Sequence, residues 1–115
     1  ARRDIRGSIV NSRVEGRAEI GEGTKIVNSV VRGPVVIGKN CLIENSFIGP
    51  YTSIGDCSKI INSCVECCVV MECAVIEDVE RLEESLIGRC ARIIRGKGNR
   101  RSLKMHVGDY SEVIL

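Results

Sequence analysis

Seven cysteines and a single histidine are the residues of this 115-residue chain whose chemistry could extend beyond structure. Cys57, Cys73 and Cys90 follow one another at 16 and 17 residues (73 − 57 and 90 − 73), so a chain that coils with that period stacks them in one file. Neighbouring strands lie about 4.8 Å apart, inside the Cα separation a disulfide tolerates. Such a file could take a metal or a redox linkage. The alternative is a ladder of small, weakly polar side chains at a tight corner, and it is the expected one, with free thiols and no bound metal. Cys64, Cys67 and Cys68 form a C-x-x-C-C run, yet no second pair at the spacing of zinc modules accompanies it. His106 could serve as a general base, or be a surface residue before a closing strand. One histidine excludes a three-His zinc site.

Charge is divided along the chain. Glu72, Glu77, Asp78, Glu80, Glu83 and Glu84 come first, and Arg89, Arg92, Arg95, Lys97, Arg100, Arg101 and Lys104 follow without an acid. With net charge +2 and only 3% aromatic residues, solvated faces and contacts between subunits are the expected use of these charges, and no nucleic-acid partner is expected. Gly96 and Gly98 in RGKGNR imitate a phosphate loop only weakly, because no G-K-[ST] opens a helix after them. There is no apolar run of membrane-spanning length and no signal-peptide pattern, so no membrane partner is expected. An odd cysteine count without an export signal points to a reduced compartment, and a soluble, cytoplasmic protein is expected. Ala1 is not a natural start, which suggests a fragment.

The elements that position these residues are repeats. Asn-Ser occurs at Asn11-Ser12, Asn28-Ser29, Asn45-Ser46 and Asn62-Ser63, each pair 17 residues after the last (28 − 11, 45 − 28, 62 − 45). Aliphatic residues open segments every five or six residues, which gives three segments per unit and so three flat sides per coil. The first side reads Ile20, Ile37, Ile54, Val70, Ile87; the second Ile9, Ile26, Ile43, Ile60, Ile76, Ile93; the third Val14, Val31, Ile48, Val65, Leu82. On the first side the small residues Thr24, Cys41, Ser58, Ala74 and Ala91 are expected at an inside corner. One residue missing between Ile54 and Val70 leaves the columns in phase. The four Asn residues are expected to form an inward hydrogen-bonded ladder, with solvent-facing turns as the alternative. About five coils at roughly 4.8 Å each predict a rod on the order of 25 Å. A single domain is expected: coils over 1–95, a basic loop over 96–106, and a closing strand over 107–115.

The run of aliphatic residue, Gly, two free positions, small residue and one free position resembles the hexapeptide-repeat proteins. That resemblance implies an all-β, single-stranded, left-handed parallel β-helix. The segments VVRGPVVIG, IENSFIGPYTSIGD, RLEESLIGR and HVGDYSEV are similar to the tail of the long form of the glucose-1-phosphate thymidylyltransferases, a family of sugar-1-phosphate nucleotidyltransferases. The resemblance implies an absent N-terminal catalytic domain that makes dTDP-glucose and diphosphate from dTTP and glucose 1-phosphate, with Mg2+ expected there. It implies a non-catalytic role for this chain, in structure and homo-oligomerisation, beside that domain. The glycine-rich nucleotide loop and metal-binding acids of the catalytic domain have no counterpart here, so no catalytic, cofactor-binding or metal residue is carried over. The rival expectation is an acyl-CoA-dependent acetyltransferase acting on a sugar phosphate with His106 as its base. The enrichment in cysteine at Cys57, Cys67, Cys68 and Cys73 departs from the family pattern.

Overall fold

A strand of two or three residues cannot bury a face by itself, so these segments are stable only when stacked on copies of themselves. The computed structural model describes residues 3–94 and 106–114, Arg3 and His106 by backbone alone. The strands β1 (Arg3–Ile5), β2 (Ser8–Val10) and β3 (Arg13–Glu15) make the first coil, and β4 (Ala18–Ile20), β5 (Lys25–Val27) and β6 (Val30–Arg32) the second. The third is β7 (Val35–Ile37), β8 (Leu42–Glu44) and β9 (Phe47–Ile48), and the fourth β10 (Thr52–Ile54), β11 (Lys59–Ile61) and β12 (Cys64–Glu66). The fifth is β13 (Val69–Val70), β14 (Val75–Glu77) and β15 (Leu82–Glu83); then come β16 (Leu86–Ile87), β17 (Arg92–Ile94), β18 (His106–Val107) and β19 (Glu112–Ile114). Every pairing is parallel, each strand against the same side of the next coil, in sheets of seven, seven and five strands among the described residues. The fold is a parallel β-helix.

It is longer than the expected five coils. Seven strands on a side mean six steps (7 − 1), and the longest dimension is 35 Å rather than about 25 Å. Two extensions account for this. Ile5 pairs with Ile20 and begins the first column a coil early. The tail expected as one closing strand is two, because His106–Val107 pairs with β16 and Glu112–Ile114 with β17. His106 therefore lies within the coils, not outside them. The rest of the basic loop, 96–105, falls outside the described residues.

The aliphatic columns face one interior. Ile20, Ile37, Ile54, Val70 and Ile87 are each no more than 2% exposed, and the other two columns join them in a continuous core that Ile9, Val14 and Val113 close at the ends. Each fully buried Ile contributes about 1.5–3 kcal/mol. Small residues fill the inside corners, as Thr24, Cys41, Ser58, Ala74 and Ala91 do, all buried. Their polar atoms meet backbone: Thr24 Oγ1 donates to Gly38 O at 2.6 Å and accepts from Cys41 N–H at 3.1 Å.

The inward ladder is built by serine, not asparagine. Ser29 N–H donates to Ser12 Oγ (2.9 Å), Ser46 N–H to Ser29 Oγ (3.0 Å) and Ser63 N–H to Ser46 Oγ (3.1 Å), and the Val79 N–H to Ser63 Oγ (3.0 Å) ends the series. Asn11, Asn28, Asn45 and Asn62 are exposed, with φ between 47° and 50°. Asparagine tolerates this left-handed backbone better than other residues that carry a Cβ, so the turn selects it and the side chain is left outside. There Asn11 Nδ2 donates to Asn28 Oδ1 at 2.6 Å and Asn62 Nδ2 to Asp78 Oδ1 at 3.1 Å.

The missing residue is located by the register. Val65 pairs with Ile48, yet Val69 pairs with Ser53, so the corner Gly49-Pro50-Tyr51-Thr52 is matched one residue short by Glu66-Cys67-Cys68. The corner absorbs the loss and the columns stay aligned.

Candidate functional site

The thiol file exists, on the outside of the corner between the first and second sides. Cys57, Cys73 and Cys90 have φ of 62°, 59° and 56°, and Asn40 (56°) and Tyr110 (59°) occupy the same place before and after them. The stacking is direct: Cys57 N–H donates to Lys39 O, Cys73 N–H to Asp56 O and Cys90 N–H to Glu72 O, each at 2.8 Å. All three are free thiols, Cys57 and Cys73 exposed and Cys90 half-buried. Although Cys57 is exposed, corner atoms displace some of its water. This, then the charge of the Cys73 sulfur and the hydrogen bond to it, pushes the Cys57 thiol above its ordinary value. Nothing in the structure explains why Cys rather than Asn occupies these left-handed corners.

The C-x-x-C-C run does not converge. Cys64 is half-buried on the third side, Cys67 is exposed at a corner with φ 54°, and Cys68 points inside, its Sγ donating to Glu66 O at 3.0 Å. Burial raises the pKa of Cys68, as it does that of Cys41. Among the described residues no three His, Cys, Asp or Glu side chains are grouped to hold a metal ion. The backbone of His106 is in register with Leu86; its side chain lies outside the described residues.

The divided charges are joined between coils. Arg32 reaches Glu15 (3.1 Å), Arg81 reaches Glu66, Arg89 reaches Glu72 (3.1 Å) and Arg92 reaches Glu112 (3.4 Å), all across successive turns of the rod. Hydrogen bonding to Glu66, then the charges of Glu66 and Glu83, raises the pKa of Arg81, which holds it charged. Such exposed pairs align faces more than they stabilise them.

Sequence reasoning overlooked the outer face of the first side. Its register runs Glu19, Val36, Ser53, Val69, Leu86, and Val36, Val69 and Leu86 are 46%, 48% and 42% exposed. A shallow concavity of about 520 Å³ adjoins it, lined by Arg17, Glu19, Pro34, Val36, Tyr51 and Ser53 among others. The signal was available: once the inward positions are fixed, the residue before each is outward.

No family model matches the chain. It is 37% identical over 100 residues to a glucose-1-phosphate thymidylyltransferase of Streptomyces antibioticus, and 36% identical over 101 residues to one of Streptomyces griseus. The chain is related to the glucose-1-phosphate thymidylyltransferases. The likeness takes in 87% and 88% of the chain but 28% and 24% of these thymidylyltransferases, so it spans about a quarter of their length. A stretch of that size corresponds to one domain of such a thymidylyltransferase. None of the described residues forms a helix long and apolar enough to cross a membrane.

Proposed function

We propose that the chain is the non-catalytic, C-terminal structural and oligomerisation domain of a cytoplasmic glucose-1-phosphate thymidylyltransferase. The whole protein would convert dTTP and glucose 1-phosphate to dTDP-glucose and diphosphate in an N-terminal domain, where Mg2+ would be bound. The observation that carries this reading is the disproportion of the match, nearly all of this chain against about a quarter of each relative.

Physical chemistry supports it. Nucleotidyl transfer needs cations poised on the phosphates as charge shifts between oxygens. Here Arg32, Arg81, Arg89 and Arg92 are each engaged by a carboxylate of a neighbouring coil. A solenoid side is flat and stiff, and the first side carries Val36, Val69 and Leu86 at its surface, which suits packing against another copy or the catalytic domain.

The chain by itself is expected to make neither dTDP-glucose from dTTP and glucose 1-phosphate with Mg2+, nor an acetylated sugar phosphate from acetyl-CoA. Product assays by chromatography on purified chain check both. Thymidylyl transfer by the chain would overturn the reading. Acetylation that disappears in His106→Ala would replace it with the acyltransferase reading.

A further inference from the structure

We infer that Cys57 and Cys73 form a site for reversible disulfide exchange with a low-molecular-weight disulfide of the glutathione class, linking the fourth coil to the fifth. The inference is independent of the proposed function. Three observations carry it. First, the two residues occupy equivalent left-handed corners of adjacent coils, and the backbone bonds Cys57 N–H to Lys39 O and Cys73 N–H to Asp56 O hold those corners in one stack. Adjacent coils lie about 4.8 Å apart, within the Cα separation of disulfides, so the two corners can be bridged without a change of register. Second, both are exposed and free, so a soluble disulfide can reach them; Cys90 is half-buried beside the Arg89–Glu72 ion pair. Third, the Cys73 sulfur lies close enough to Cys57 to act on its thiol.

The exchange balances. One of the two cysteine thiolates attacks one sulfur of glutathione disulfide, whose S–S bond breaks to release a glutathione thiolate. The other cysteine thiolate then attacks the cysteine sulfur of the mixed disulfide and expels the second glutathione. Two cysteine thiols are oxidised, one glutathione disulfide is reduced, and the two protons end on the two glutathione thiols. Parallel corner residues hold their Cβ atoms near the coil spacing, wider than the roughly 3.8 Å a relaxed disulfide prefers, so the link is strained and easily reduced. It spans the corner-shortened step between Ile54 and Val70, where the repeat is one residue short.

The test treats the 115-residue chain with glutathione disulfide and maps its peptides by mass. The expected result is one Cys57–Cys73 cross-link, reversed by reduced glutathione. Strain in the link offsets much of the loop-closure gain, so the melting temperature should rise by no more than about 5 °C on oxidation. Cys73→Asn should abolish the link, and Cys90→Asn should keep it; Asn40 already fills the same corner at φ 56°, so both variants retain a tolerated residue. Linkage through Cys90, glutathione adducts that persist on both sulfurs, or a wild-type chain with all its thiols still free would overturn the inference.

Discussion

Replacing Ile54 by Asp should unfold the rod at neutral pH. Ile54 is 2% exposed and stacks between Ile37 and Val70 in the first column. An unpaired buried charge costs several kcal/mol, comparable with the whole stability of a domain this size. Because each coil is held mainly by its two neighbours, loss of the fourth coil divides the core into two short stacks. The introduced carboxyl would have its folded pKa raised by burial. The damage should therefore be least below the unfolded value of about 4 and grow as pH rises through that value. Ile54→Val removes one methylene and should cost only about 0.5–1.5 kcal/mol. Urea melts of the three proteins at pH 7 measure this. An Ile54→Asp variant with an unchanged midpoint would mean the column does not point inward.

Gly33→Ala should produce the next largest loss, about 2–4 kcal/mol, although it adds a single methyl group. Gly33 turns the chain from the third side to the first, and its N–H donates to Glu15 O at 2.7 Å. A Cβ there would run into the carbonyl oxygen of Arg17 and lie 2.6 Å from its carbonyl carbon, atoms of the coil below that cannot rotate away. Either the hydrogen bond between coils or the coil spacing must give. Gly108 is the control: a Cβ there meets nothing nearer than Ser111 Oγ at 3.7 Å, so Gly108→Ala should lie within about 0.5 kcal/mol of wild type. Thermal melts of the pair separate backbone collision from the general effect of replacing glycine. Equal melting temperatures for Gly33→Ala and wild type would show that the coils are spaced more widely at this corner.

The columns were legible because a solenoid repeats one burial pattern many times, so aliphatic spacing alone assigns the sixteen residues from Ile9 to Ile93 to three sides. Spacing does not say which of two adjacent repeated residues turns inward. Asn and Ser recur with the same period, and backbone conformation decides between them: φ near 50° at Asn45 sets its side chain outside and the next residue, Ser46, inside. The coil count was underestimated because end coils lose part of their signature. Ile5 is 38% exposed, and the last coil lies beyond a long non-repetitive stretch. Of the candidate site, the cysteine file was readable from spacing, whereas its exposure depended on the corner conformation. The apolar stripe of Val36, Val69 and Leu86 follows once the inward positions are fixed, because the residue before each of them faces out.

If the chain works by holding subunits together, its mass in solution decides the matter. The first side, within a body of 35 × 24 × 21 Å, offers on the order of the 800 Å² per partner that stable interfaces bury. Light scattering coupled to gel filtration should give the wild-type chain a mass of two or more times 12.6 kDa. The double variant Val69→Glu, Leu86→Glu should return to 12.6 kDa with little change in melting temperature, since both side chains lie on the surface. A wild-type chain that stays at 12.6 kDa across the concentration range would contradict the account.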